Sequence, residues 1–153
     1  MIIEVIGAFI AIWAFAVMLE TPRKYLKYAG MVGAVGWLAY LIALEFGTTE
    51  VLATFISSVT VTIVSHIFAR ILKVPVTVFL VAGILPTVPG AGMYRVVYSI
   101  ITGANDMTSH YLMLTLEIAA AIALGIFIVD AIFRVFQKEF KQNSMRYEKN
   151  KSN

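Results

Sequence analysis

The sequence predicts an all-α polytopic membrane protein of about five transmembrane helices, the fourth of them broken between Pro86 and Gly92. Three observations carry that prediction. The composition is 60% hydrophobic and 14% charged, far from that of a soluble domain. Apolar runs at residues 2–19, 29–46, 51–69, 76–102 and 111–136 are each long enough to cross about 30 Å of hydrocarbon as a helix. Eleven of the twelve Lys and Arg residues lie between those runs, at the end of the fifth or after it, all on one side if the chain crosses five times.

The first run carries an acidic residue and no basic segment ahead of it, so it reads as a first span and not as a cleaved signal peptide. Gly7, Ala11 and Ala14 line one side of it and permit close approach by a neighbour. Thr21-Pro22 ends it. The second run holds Gly30, Gly33 and Gly36, another close-packing surface, with Trp37 and Tyr40 read as packing residues. Its turn, Gly47 to Glu50, carries only acidic charge.

In the third run Thr54, Ser58, Thr62 and Ser65 fall within about an 80° stripe at 100° per residue. Hydroxyls on one face either hydrogen-bond across helices or line a wet path. His66, one turn before Arg70, reads as a packing residue or as a proton relay. In the fifth run Glu117 shares a face with Ala121 and Gly125 and is expected to point into the bundle. Asp130 precedes Arg134 by one turn, which predicts an ion pair. Residues 137–153 read as a basic, frayed tail.

The fourth run is the unusual one. Pro86 and Pro89 each remove a backbone N–H and so withdraw the usual donors from the carbonyls of Ala82 and Leu85. Gly90 and Gly92 add backbone freedom at the same place. Non-helical backbone at membrane depth is tolerated only where protein or a wet cavity satisfies it. Half-helices meeting near the bilayer centre point to a transporter's binding site. Pro86, Pro89, Gly90, Gly92, Tyr94 and Arg95 are therefore the candidate substrate-binding set. Arg95 is the one basic residue away from the others, and placing it in hydrocarbon costs roughly 2.5–3.5 kcal/mol. Its candidate partners are Glu117, another subunit or an anionic or zwitterionic substrate.

Other chemistry finds little support. Without cysteine there is no disulfide, thiolate metal site or cysteine nucleophile. Arg95 stands where a Gly90-x-Gly92 dinucleotide fingerprint needs glycine, and no other catalytic motif is present, so neither an enzyme nor a cofactor or metal site is expected. The pI near 9.2 does not imply nucleic acid, because the basic residues sit at the ends of spans.

The segment ILPTVPGAGMY, with TFISSVTVTIVSHIFARILKVP and PRKYLKYAGMVGAVGW before it, resembles the short subunit of the threonine/serine exporter family. The likeness runs from Pro22 to Gly125 and is carried by Pro75, Gly83, Pro86, Pro89, Gly90 and Tyr94, with Gly33 and Gly36 upstream. Arg95 departs from it, an uncharged residue being expected there. The resemblance implies an exporter in a bacterial inner membrane, for threonine and serine or for a dicarboxylate such as succinate. It also implies that this chain is one half of a carrier, completed by a larger multi-spanning subunit. A non-transporting structural subunit and a pore-forming homo-oligomer are the alternatives.

Arg23, Lys24 and Lys27, then Arg70 and Lys73, then the six cations from Arg134 onward place the N-terminus outside and the C-terminus in the cytoplasm. A re-entrant fourth run would put the basic tail outside, so that run is expected to cross. A reporter fused after Asn153 should read as cytoplasmic; an external signal would overturn the topology.

Overall fold

The computed structural model describes residues 1–103 and 105–151, with side chains placed for 1–103 and 107–135. Helix breakers decide where the chain turns. Thr21-Pro22 separates α1 (Ile2–Met18) from a 3-10 turn, Arg23–Tyr25, that feeds α2 (Leu26–Glu45). The α2 helix thus starts before residue 29, because buried Tyr25 anchors the turn edge-on against Phe79 at 6.0 Å. Thr49 caps α3 (Glu50–Leu72), its hydroxyl accepting from the Leu52 N–H at 3.3 Å. Lys73, in the left-handed region at φ 53°, closes α3 two residues ahead of Pro75.

The broken segment comprises α4 (Thr77–Ile84), a 3-10 turn at Leu85–Thr87, and α5 (Gly90–Ile101). The last element, α6 (Asn105–Lys151), starts before residue 111 and continues past residue 136. Residues 137–151 contain neither Gly nor Pro and are rich in Lys, Glu, Gln and Arg, so nothing local stops the helix. The side chains of Lys138, Lys141, Arg146, Lys149 and Lys151, expected on the basic side, lie outside the described residues.

The described chain is therefore an all-α, membrane-type fold. Arg23–Glu45, Glu50–Leu72 and Met107–Val135 are long and apolar enough to cross a membrane. The pair Thr77–Thr87 and Gly90–Ile101, bent by 50°, makes a fourth crossing element if taken as one. Ile2–Met18 is apolar but shorter, at 17 residues.

Helix directions follow from which residues meet. Ser58 lies against Gly125 and His66 against Phe133, the same sequence offset, so α3 and α6 run parallel. Gly92 meets Thr115 and Ser99 bonds Thr108, so α5 runs antiparallel to α6. Gly83 meets Val61 and Phe79 meets Phe68, so α4 is antiparallel to α3. Both halves of the broken segment thus run the same way, as a 50° bend allows and a hairpin would not. The Tyr28–Phe68 and Arg70–Phe133 contacts bring the first turn, the α3 end and the Arg134 region to one end of the bundle.

α3 is the central element, packed by α2, α4 and α6. Phe79, Ile12, Val32 and Val61 are its fully buried apolar neighbours and members. Gly33 lies so close to Ile12 that any side chain there would displace α1. Gly30 meets Phe9 on the same helix, so this surface packs helices within the chain.

The hydroxyl stripe is buried throughout, but it mostly serves its own helix. Thr54, Ser58 and Thr62 donate to the carbonyls of Glu50, Phe55 and Ser58, at 2.8, 2.8 and 2.7 Å. The bond that crosses helices comes from Ser57, whose hydroxyl donates to the Gly36 carbonyl at 2.7 Å. Gly33→Leu should therefore cost at least 1–3 kcal/mol by overpacking and sharply lower the folded fraction, whereas Ser58→Ala should cost about 1 kcal/mol or less. Fluorescence-detected size exclusion reads both; equal loss would overturn the distinction.

Candidate functional site

Two prolines three residues apart leave a break whose hydrogen bonding differs from simple deletion. Ala82's carbonyl accepts from the Leu85 N–H and Leu85's carbonyl accepts from the Val88 N–H at 3.2 Å. The Thr87 hydroxyl donates to the Ile84 carbonyl at 2.8 Å. The carbonyls expected to be orphaned are thus taken by the tighter 3-10 pattern. What remains open are donors. Gly90's N–H turns back to the Val88 carbonyl at 2.7 Å and Met93's bonds the Pro89 carbonyl at 3.0 Å. The amides of Ala91 and Gly92 between them have no backbone acceptor, and Pro89 as N-cap offers no side chain.

Those amides border a cleft of about 280 Å³. Pro86, Pro89, Gly90, Gly92 and Arg95 line one wall, so the break brings together five of the six residues expected to form a site. Tyr94 does not join them: it is 68% exposed on the outer face of α5, stacked on Tyr98. Arg95 lies 5.7 Å above the Tyr111 ring and makes no ion pair among the described residues. Thr54 lines the cleft; Ser58, Thr62 and Ser65 do not.

The cleft is also lined by residues outside the expected substrate-binding set. Trp37 and Tyr40, half-buried and stacked at 5.0 Å, line the cleft from α2. Glu50 contributes a carboxylate from the first residue of α3, and Tyr111 and Thr115 close the α6 side. Their only sequence signal was proximity of Glu50 to an N-cap and an aromatic pair one turn apart.

The helix registers also locate the break along the bundle. α4 and the 3-10 turn carry the chain roughly 20 Å from Pro75 to Pro89, about two thirds of a bilayer. Arg95 then lies alongside the stretch of α6 next to the first turn of α3, near the α2–α3 end and not at the middle of the bundle. Glu117 is exposed, away from the stripe of Thr115, Ile118, Ala121, Gly125 and Val129 that α6 buries. Each step of four residues drifts 40° round a helix, so sharing a face with Ala121 and Gly125 was too coarse a criterion. Glu117 does not pair with Arg95.

At the other end, Asp130 does pair with Arg134, accepting on Oδ2 from Nη2 at 2.7 Å and from Nε at 2.8 Å. His66 approaches the same carboxylate from α3, Nε2 lying 3.2 Å from Oδ1. Among the described residues no group of three His, Asp or Glu side chains could hold a metal ion.

Glycines at the break do different things. A Cβ on Gly90 meets nothing, whereas one on Gly92 would stand 2.6 Å from the Thr115 hydroxyl oxygen. Gly90→Ala should leave the fold unchanged, and Gly92→Ala should cost about 1–3 kcal/mol by forcing α5 from α6. Adding Thr115→Ala should recover most of that loss in a thermal-shift assay; no recovery would place the strain elsewhere.

Comparison with known proteins gives a family and partial relatives. A profile described as "Threonine/Serine exporter, ThrE" matches residues 4–132. A Haemophilus influenzae protein described as uncharacterized is 31% identical over 88 residues, which cover 57% of this chain and 29% of the relative's own length. No solved structure matches.

Proposed function

The chain belongs to the threonine/serine exporter family, and on that premise we propose that it forms half of a bacterial inner-membrane carrier for small zwitterionic solutes. The cleft at the break is the site, and a larger membrane subunit completes it. The observation that carries this reading is the pairing of opposite charges across one cleft. Arg95 and the open Ala91 and Gly92 amides lie on the α5 side, and Glu50 lies on the α3 side.

A carboxylate suits the first wall. Uncapped N–H groups at the start of a helix favour an anion, and a guanidinium binds a carboxylate with two parallel bonds. An ammonium suits the second. Glu50 supplies the counter-charge, and the Trp37–Tyr40 stack offers aromatic faces of the kind that hold cations. A dicarboxylate would set its second charge against Glu50, so amino acids such as threonine and serine fit the cleft better than succinate. The buried hydroxyl of Thr54 and that of Thr115, both on the cleft, donate to their own helices and so remain available as acceptors for a substrate hydroxyl.

In the carrier reading the chain crosses five times, with the basic ends of the spans in the cytoplasm. A helix broken at a binding site, held between two halves, is the usual construction of carriers built from repeats. The 29% coverage of the Haemophilus influenzae relative is consistent with a machine larger than this chain.

Export assays in cells expressing the chain test the site. Gly90→Leu projects into open space, so abundance should stay normal while export is lost. Arg95→Gln should raise the half-saturating concentration about tenfold or more, since a hydrogen bond to a charged group contributes roughly 1.5–3 kcal/mol. Glu50→Gln should weaken amino acids and spare dicarboxylates. Wild-type export by all three variants would place the site in the other subunit and leave this break a packing kink.

A further inference from the structure

The end of the bundle opposite the cleft holds a second constellation that the solute site does not use. His66 is 5% exposed, deep between α3 and α6. Its ring stacks flat on Phe133, with centroids 4.3 Å apart and planes within 3°. Nε2 makes no hydrogen bond as placed, although Asp130 Oδ1 lies 3.2 Å away. A buried ring nitrogen without a partner is costly, and the structure holds the remedy within reach. We infer that His66 and Asp130 form a proton-binding pair that joins the basic end of α3 to α6 and drives the transport cycle.

Asp130 divides its carboxylate between two helices. Oδ2 takes both Arg134 donors, from its own helix, and Oδ1 faces His66 on the other. When the neutral ring carries its proton on Nδ1, a second proton on Nε2 makes an imidazolium whose N–H donates to Oδ1, closing an ion pair across the α3–α6 interface. Its departure returns a neutral ring held by stacking alone. Only the N–H bond is made and broken, and the proton comes from and returns to water. A cavity of about 300 Å³ beside His66, Asp130 and Arg134 gives that water a way in.

The charges facing His66 can be named. Arg70, on α3, lies 4.9 Å over the Phe133 ring, and Arg134, 78% exposed, is bound to Asp130. Both are cations, and Asp130 is the carboxylate in contact with the ring. Val74, Pro75 and Val76 of the α3–α4 turn add no titratable group. Histidine is the side chain best suited to gain and lose a proton under cellular conditions, and contact with Asp130 puts that chemistry at the α3–α6 interface. α3 also carries Glu50 and Thr54 at the cleft, so a change in how α6 is held at one end is felt at the solute site.

This inference rests on the carrier reading above. Membrane vesicles from cells expressing the full chain test it by two measurements on each variant: export driven by an imposed pH gradient, and one-for-one solute exchange at equal pH. His66→Gln and Asp130→Asn should lose gradient-driven export by about tenfold or more and keep exchange within about twofold, and Asp130→Glu should restore part of the driven export. Unchanged driven export in His66→Gln would overturn the proposal, and so would loss of both activities in proportion, which marks a merely structural role. Should His66→Gln fail to accumulate, the wild type decides: driven export that is flat from about pH 5 to 8 sinks the proton pair while leaving the carrier reading standing. A wild-type chain that moves no solute by either route sinks both.

Discussion

The approach of α6 to α3 at Gly125 and Ser58 is the contact on which the remaining geometry depends. A Cβ at residue 125 would collide with the Ser58 hydroxyl and press on the Phe55 carbonyl, so the two helices can lie this close only because Gly125 has none. Their parallel course follows from that contact and from the His66–Phe133 stack. Two parallel helices separated by one broken segment require that segment to return the whole length of the bundle. The bend of 50° is what permits a cleft without reversing the chain.

Much of this was legible in the residues. The position of the break, the pairing of Asp130 with Arg134 and the close-packing role of Gly30 and Gly33 follow from proline and glycine chemistry and from i, i+4 spacing. So did the gathering of Pro86, Pro89, Gly90, Gly92 and Arg95 on one wall, since they are neighbours along the chain. The second wall was not legible. Glu50, Trp37 and Thr115 come from three helices, and only tertiary packing brings them to the cleft beside Arg95. Glu117 failed for a related reason: helical spacing gives a face to within about 100°, and which half of that face is buried depends on where α3 sits.

The prolines also turned out to act through what they leave open. Sequence logic counted lost donors and inferred exposed carbonyls. The chain answered by tightening to a 3-10 turn, which satisfies the carbonyls with nearer amides and shifts the deficit onto the N–H groups of Ala91 and Gly92. Open carbonyls favour cations, whereas open N–H groups at a helix start favour anions. The polarity of the site is thus set by the geometry of a single short turn.

α5 differs from every other described helix in how it is held. α4 packs on α2 and α3, whereas the extensive contacts of α5 are with α6 alone, and Ser99 is the one buried residue among its twelve. Protein segments open locally at free energies that track their buried contacts, from near zero up to the stability of the whole. The backbone amides of α5 should accordingly exchange with solvent deuterium well before those of α3, whose nine buried residues anchor it on three sides. One wall of the cleft thus rests on a helix with few buried contacts, so occupancy of the cleft should register first as slowed exchange between Gly90 and Ile101.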